Sequence, residues 1–204
     1  MNNIIFIALI ILSVVACKSK QTLEYDEFIE FVNNEKNGLK KSEVGNGVLI
    51  EVIYRPTDII AYQQLQIDSD QRSIDSIKNH FSNYFYFLLN LSKESKEALH
   101  TQPNTFNEYS SLLSTLSFNM REYVYLTSSS NDTIQVADFY LDRTYGYSKA
   151  TSLLFVFSKE KIKDSNYIQF NLNEFGLGLG NKRFRFDIED FNTAPNLEFK
   201  KNNL

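Results

Sequence analysis

The sequence predicts an α+β domain in which N-terminal helices pack on one face of an antiparallel β-sheet formed largely by the C-terminal half. Helical periodicity is concentrated before Arg121, and alternation of apolar and polar residues dominates after it. The strand–helix–strand rhythm of a parallel sheet is not present. The 204 residues include 17 Phe and 12 Tyr but only 3 Pro and 7 Gly, which excludes a disordered or collagen-like chain. This length and composition fit one domain with a large core.

The first 16 residues carry no charged side chain and have the pattern of an export signal. The run Ile4–Val15 is apolar except for Ser13, and it is shorter than the roughly 20 residues that span a membrane. The segment Val14–Cys17 resembles the lipobox of bacterial lipoproteins. This resemblance covers the first 17 residues. It implies that a signal peptidase cleaves between Ala16 and Cys17, and that Cys17 carries a diacylglycerol and fatty acyl chains such as palmitate.

The resemblance divides the chain into a signal peptide of residues 1–16, a lipidated tether of residues 17–22 and a single α+β domain of residues 23–204. It implies a cell-envelope protein whose first partner is a membrane, bound through the lipid. Lys18 rather than Asp follows the cysteine, which favours the outer membrane over the inner one. The chain contains more Lys than Arg, and in this composition it resembles lipoproteins of Bacteroidota. The alternative is that Cys17, the only cysteine, is an ordinary thiol at the end of a short helix.

In the first half of the chain, apolar spacing predicts four helices and two strands. Phe28, Ile29 and Val32 fall on one face of the first helix. The segment Asn83–Ser92 is apolar on both faces, which fits either a buried strand or a buried helix, and its aromatic residues favour a strand. In chain order, the predicted elements are a helix over Leu23–Asn34, a strand over Val48–Tyr54, helices over Thr57–Gln66 and Asp70–His80, the strand over Asn83–Ser92, and a helix that starts at the capping box Thr105–Glu108.

From Arg121 onward, the alternation predicts a β meander. Ile168, Phe170 and Leu172 alternate with polar neighbours, which is typical of a strand with one buried face. The predicted strands are Glu122–Thr127, Thr133–Leu141, Ser152–Phe157, Tyr167–Asn173 and Lys182–Asp190, with Ser152–Phe157 in the centre because it is apolar on both faces.

Motifs of known catalytic and cofactor sites are weak in this sequence. The glycine-rich segment Gly176–Gly180 precedes an alternating strand rather than a helix, which favours a hairpin loop over a dinucleotide site. His80 and His100 do not have metal-ligand spacing, so we expect no metal and no cofactor. Asp138 and Asp142 lie near the end of one strand, where they could serve a hydrolase that uses two carboxylates.

Tyrosines at alternating strand positions are the most suggestive binding signal. Several of them on one sheet face left uncovered by helices would form a platform for a glycan or a protein. The candidates for this platform are Tyr123, Tyr125, Tyr140 and Tyr145. The alternative is that these rings pack beneath the helices, with their hydroxyl groups at the rim.

Three candidate functions follow from these observations. The first is a non-enzymatic envelope lipoprotein, anchored through Cys17 and facing the periplasm or the cell exterior, that binds a protein or glycan partner. The alternative is a lipid-anchored hydrolase that acts on envelope polymers through carboxylates, and a third possibility is a small inhibitor or immunity-type lipoprotein. The formal net charge of -4 argues against a nucleic-acid partner.

Overall fold

The structure, a computed structural model, describes residues 20–67, 73–160, 162 and 165–199. The predicted signal peptide, its cleavage position at Ala16 and the lipidated Cys17 lie outside these residues, and they stay predictions. Within the described residues, no helix is both long enough and apolar enough to cross a membrane.

Helices and strands follow one another irregularly along the described residues. The α-helices are α1 (Tyr25–Asn33), α2 (Thr57–Ile67), α3 (Ile74–Phe81), α4 (Ala98–Thr101), α5 (Phe106–Ser114) and α6 (Ile188–Thr193). Short 3-10 helices cover Glu35–Asn37 and Met120–Glu122, and a π-helical turn covers Thr115–Asn119. The strands are β1 (Thr22–Leu23), β2 (Lys40–Gly45), β3 (Val48–Arg55), β4 (Tyr84–Lys93), β5 (Lys96–Glu97), β6 (Val124–Ser128), β7 (Thr133–Gln135), β8 (Asp138–Asp142), β9 (Thr151–Ser158), β10 (Tyr167–Leu172), β11 (Lys182–Asp187) and β12 (Asn196–Leu197).

The strands of the described residues form two antiparallel sheets and one short parallel pair. The main sheet has the order β2-β3-β4-β9-β8, with β5 paired to β4, and the second sheet has the order β11-β10-β6-β7. Strand β1 pairs in parallel with β12, which joins the two ends of the described chain. Because Thr22 belongs to β1, the ordered pairing begins one residue before the predicted domain boundary at residue 23.

The two sheets pack face to face, with alternate residues of each buried between them. The ring of Phe87 in β4 lies 5.6 Å from the ring of Phe170 in β10 and 5.2 Å from that of Phe186 in β11, measured between centroids. All three side chains are fully buried. Aromatic pairs at such distances contribute roughly 0.5–1.5 kcal/mol beyond the area that they bury. The larger hydrophobic core of the protein therefore lies between the sheets.

The predicted α+β class is confirmed, but the predicted arrangement of the sheet is not what the structure shows. The main sheet takes β2, β3 and β4 from the N-terminal half and only β8 and β9 from the C-terminal half. Strand β2 has the sequence KKSEVG, a polar edge strand without apolar alternation, so the pattern does not predict it. Alternation also predicts strands without predicting which strands pair with each other. For this reason the sequence predicts one sheet, whereas the described residues form two antiparallel sheets.

Candidate functional site

The outer face of the main sheet, which is turned away from the second sheet, has an apolar centre. Successive residues of a strand point to opposite faces, so every second residue of β3, β4, β9 and β8 belongs to this face. The register aligns three rows across these four strands: Arg55, Tyr86, Val156 and Asp138; Ile53, Leu88, Leu154 and Tyr140; and Glu51, Asn90, Ser152 and Asp142.

Helix α2 covers part of this face and turns it into a groove of about 860 Å³. The helix starts directly after β3, because Pro56 ends the strand and has no N–H for the sheet. One wall of the groove is formed by Ile60, Gln63 and Gln66, which recur at the three-residue spacing of one helix side. The floor is formed by Leu88, Leu154 and Tyr140 of the sheet.

Packing against two neighbouring helices holds α2 over the sheet. Ala61 and Leu65 form a small second hydrophobic cluster with Ile77 of α3. Tyr62 stacks on Tyr25 of α1, with ring centroids 4.5 Å apart. Helix α2 is therefore supported from two neighbouring helices, and the groove is part of the packed fold.

A charged contact adds to this support. The carboxylate of Asp58, in the first turn of α2, lies 2.9 Å from the ammonium of Lys78 in α3. The same carboxylate accepts a hydrogen bond from the backbone N–H of Leu197 in β12 at 3.1 Å. Asp58 thus connects α2 to two other elements.

The groove combines an apolar floor with a polar rim. Leu88 and Leu154 are only partly buried, whereas their inward-facing neighbours in the same strands are buried. The hydroxyl of Ser152 lies beside this floor and forms a 2.8 Å hydrogen bond with the Asn90 side-chain oxygen. The ring of Tyr140 is 65% exposed. Such a surface can cover the apolar part of a small molecule and contact its polar groups at the rim.

Arg55 lies at the end of the groove where β3 meets α2. Its side chain is partly buried, and none of the described residues forms a hydrogen bond or ion pair with the guanidinium. Burial lowers the pKa of Arg55 from its ordinary value, and the neighbouring phenol of Tyr25 acts in the opposite direction. A guanidinium remains protonated at neutral pH despite such a shift. The groove therefore contains a cation without a carboxylate partner among the described residues.

The four tyrosines predicted as a platform do not share one surface. Tyr140 lies on the floor of the groove, and Tyr145 is in the loop after β8, where the Arg143 guanidinium lies 5.5 Å from its ring centroid. Tyr125 is on the outer face of the second sheet, at the opposite side of the molecule. Tyr123 packs against the core, with its ring 6.1 Å from that of Phe175. The structure thus brings one of the four, Tyr140, into the groove.

The two aspartates considered for hydrolysis are far apart. Asp138 and Asp142 lie four residues apart on the same face of β8, which separates them by about 13 Å at the usual rise of a strand. Glycosidases hold their carboxyl groups about 5–9.5 Å apart. Asp138 also forms a 3.1 Å ion pair with Arg121. Among the described residues, no group of three or more His, Cys, Asp or Glu side chains could hold a metal ion.

Glu97 is a buried carboxylate for which the sequence contains no signal. It is 3% exposed and accepts hydrogen bonds from the Thr144 hydroxyl at 2.6 Å and from the backbone N–H of Gly146 at 2.8 Å. The ring of His100 lies 3.5 Å from its second oxygen, measured from Nε2. These contacts fix the loop that carries Tyr145, which has a positive φ of 53°. Glu97 and His100 therefore have a structural explanation.

The segment Gly176–Gly180 joins the antiparallel strands β10 and β11, as expected for a hairpin loop. Its backbone N–H groups surround the carboxylate of Glu174, which accepts from Gly176 at 2.7 Å, from Gly178 at 2.8 Å and from Gly180 at 2.6 Å. Backbone N–H groups that converge in this way make an anion-binding nest. Here a carboxylate of the same chain occupies it.

Neither a protein-family model nor a curated protein sequence matches this chain. Among solved structures, the chain is similar to a DUF4426 family protein from Pseudomonas aeruginosa PAO1, with 8% sequence identity and a TM-score of 0.38 over 73% of this chain and 92% of that one. It is also similar to a protein of unknown function from Burkholderia pseudomallei K96243, with 12% identity and a TM-score of 0.40 over 85% of this chain and 93% of that one.

Proposed function

We propose that this protein is a lipid-anchored envelope protein that binds a small amphiphilic molecule reversibly in the groove between α2 and the main sheet. The groove itself is the observation that carries this proposal. Its volume of about 860 Å³ falls within the roughly 300–1,000 Å³ of small-molecule sites. Its concave apolar floor fits such a ligand better than it fits a flat glycan or protein surface.

The energetics of the floor favour an apolar ligand body. Leu88 and Leu154 are partly exposed to water, so a ligand placed on them removes apolar surface of both partners from solvent. Each buried methylene group contributes about 0.8 kcal/mol. An acyl chain or a ring system of moderate size would therefore supply most of the binding free energy.

The composition of the groove supports binding rather than chemistry on the ligand. Asp142 is the one carboxylate among its described lining residues, and no histidine or cysteine is found among them. Hydrolysis by carboxylates needs a second acidic group nearby. The remaining polar groups, such as Gln63 and Gln66, can donate and accept hydrogen bonds but do not titrate at neutral pH.

The proposed anchor would keep the groove near a membrane surface. Tyr25 borders the groove and stands eight residues after Cys17. Eight residues span at most about 30 Å when fully extended. An amphiphile that leaves the membrane would therefore meet the groove within a short distance.

The test is a titration of the mature chain with the neutral fluorescent amphiphile N-phenylnaphthylamine. The chain carries Cys17→Ser, so that no lipid is attached to it. We expect saturable binding with one site. Leu154→Glu places a charge on the apolar floor and should weaken this binding about tenfold or more, the cost of removing an unpaired carboxylate from water. Circular dichroism of each variant verifies folding first.

The matched control is Val44→Glu. Val44 lies on the same outer face but in the edge strand β2, it is 62% exposed, and it does not line the groove. We expect this variant to bind the probe as the unsubstituted chain does. Equal loss of binding in both variants, or an absence of saturable binding to the unsubstituted chain, would contradict the proposed function.

A further inference from the structure

Arg55 differs from Lys40 and Lys78, which both have carboxylate partners. Lys40 forms an ion pair with Glu51, and Lys78 lies 2.9 Å from Asp58. The described residues provide no such carboxylate for Arg55, although its side chain is partly buried in the groove. A charge that has lost part of its water without gaining a partner is unfavourable. An anion bound in the groove would remove this penalty.

The one described carboxylate of the groove lies too far away to be that partner. Arg55 is on β3 and Asp142 is on β8, three strand spacings or about 14 Å across the sheet. Leu88 and Leu154 lie between the two charges, on the intervening strands. The groove thus has a cationic end, an apolar middle and an acidic end, and this polarity favours one orientation for a bound anion.

We propose that the groove selects single-chain amphiphiles with one anionic head group, which the Arg55 guanidinium binds while the apolar body lies over Leu88 and Leu154. This inference rests on the proposed function and adds the ligand class to it. A guanidinium binds carboxylate, sulfonate or phosphate oxygens through two parallel N–H donors. The groove volume of about 860 Å³ accommodates one acyl chain or ring system rather than a two-chain phospholipid.

Two matched pairs of probes test this selection without any substitution at the site. Anilinonaphthalene sulfonate is N-phenylnaphthylamine with an added sulfonate, and decanoate differs from decanol in its head group. We expect the mature chain with Cys17→Ser to bind the sulfonate probe about tenfold more tightly than the neutral probe. Decanoate should displace the bound sulfonate probe at concentrations at which decanol does not.

Variants of Arg55 assign the effect to its charge. Arg55→Gln should lower the affinity for the sulfonate probe about tenfold relative to the affinity for the neutral probe. Arg55→Lys keeps the charge but loses the planar donor pair, so it should restore part of the affinity. The charge-matched control is Arg143→Gln, since Arg143 is exposed beyond the end of β8 and lies outside the groove lining. It should leave both affinities unchanged.

The outcomes separate this inference from the function on which it rests. Equal affinities for both probes, with no effect of Arg55→Gln, would overturn anion selection and leave ligand binding intact. An equal loss of affinity for both probes in a folded Arg55→Gln variant would also overturn anion selection, because Arg55 would then only shape the groove. Failure of both probes to bind the unsubstituted chain would instead contradict the proposed function.

Discussion

Single carboxylates organise two of the loops of this protein. Glu174 shows the effect most clearly, because its ionised side chain accepts hydrogen bonds from alternate glycines of the loop between β10 and β11. Partial burial alone raises the pKa of Glu174, but the backbone N–H groups that point at it together lower the pKa below its ordinary value. The folded state therefore favours the charged form of this side chain.

The sign of the pH dependence follows from that direction. A carboxyl group whose pKa is lower in the folded state stabilises the fold above its unfolded pKa, about 4.3, and this stabilisation is lost as the pH falls through the folded pKa. We expect Glu174→Gln to lower the free energy of unfolding by about 1–2 kcal/mol at pH 7. The difference from the unsubstituted chain should shrink below about pH 4.

Thermal unfolding followed by circular dichroism at pH 7 and at acid pH measures this difference. Glu30→Gln is the control, since Glu30 is exposed on α1 and forms no hydrogen bond or ion pair with the described residues. It should change stability little at either pH. A Glu174→Gln effect of the same size at both pH values would show that the carboxylate charge is not the cause.

At the scale of elements, the groove depends on the position of α2. Asp58 ties this helix to Lys78 of α3 and to the backbone of Leu197. We expect Asp58→Asn to lower the free energy of unfolding by about 1–2 kcal/mol and to weaken binding of the neutral probe, because the wall of the groove becomes less firmly held. Chemical denaturation and the probe titration measure the two effects.

A matched substitution separates the effect of the Asp58 contacts from the general stabilisation that an acidic residue gives at the start of a helix. Asp75 stands in the first turn of α3, is exposed, and forms no side-chain hydrogen bond or ion pair with a neighbouring element among the described residues. Asp75→Asn should therefore cost only the dipole contribution of about 0.3–1 kcal/mol and leave probe binding intact. If both variants weaken probe binding alike, the Asp58 contacts do not position the groove.

Local signals predict the elements well and their assembly poorly. The predicted N-cap at Thr105 is present, with the Glu108 N–H donating to the Thr105 hydroxyl at 3.2 Å, because a cap depends on residues three positions apart. The Glu108 carboxylate accepts from the backbone N–H of Asn104 at 2.7 Å rather than from that of Thr105, so the second half of the capping box is shifted by one residue. Tyr140 was singled out from the same local patterns. The other groove residues Arg55 and Leu88 were not, because the groove forms only when β3, β4, β9 and β8 lie side by side, and alternation does not specify strand pairing.

At the scale of the whole molecule, the proposed function includes the predicted anchor. We expect the intact mass of membrane-extracted protein to match a chain that starts at an acylated Cys17. Cys17→Ala should retain the unprocessed mass, without the diacylglycerol, because the modified thiol is absent. Fractionation of both proteins beside the mass measurement shows whether membrane attachment depends on the lipid. An unmodified chain that keeps residues 1–16 in the unsubstituted protein would contradict the lipoprotein prediction.

The parallel pair of β1 and β12 has a consequence for the order of folding. Synthesis delivers β1 well before β12, so β1 has no partner until residues 196 and 197 have been made. Contacts between residues so distant in sequence form slowly, because the intervening chain must be closed into a loop. The segment beside the proposed lipid would therefore be attached to the membrane early, and it would pair with β12 late. Removal of residues 195–204 would remove β12. Strand β1 would then stay unpaired, even where both antiparallel sheets had formed.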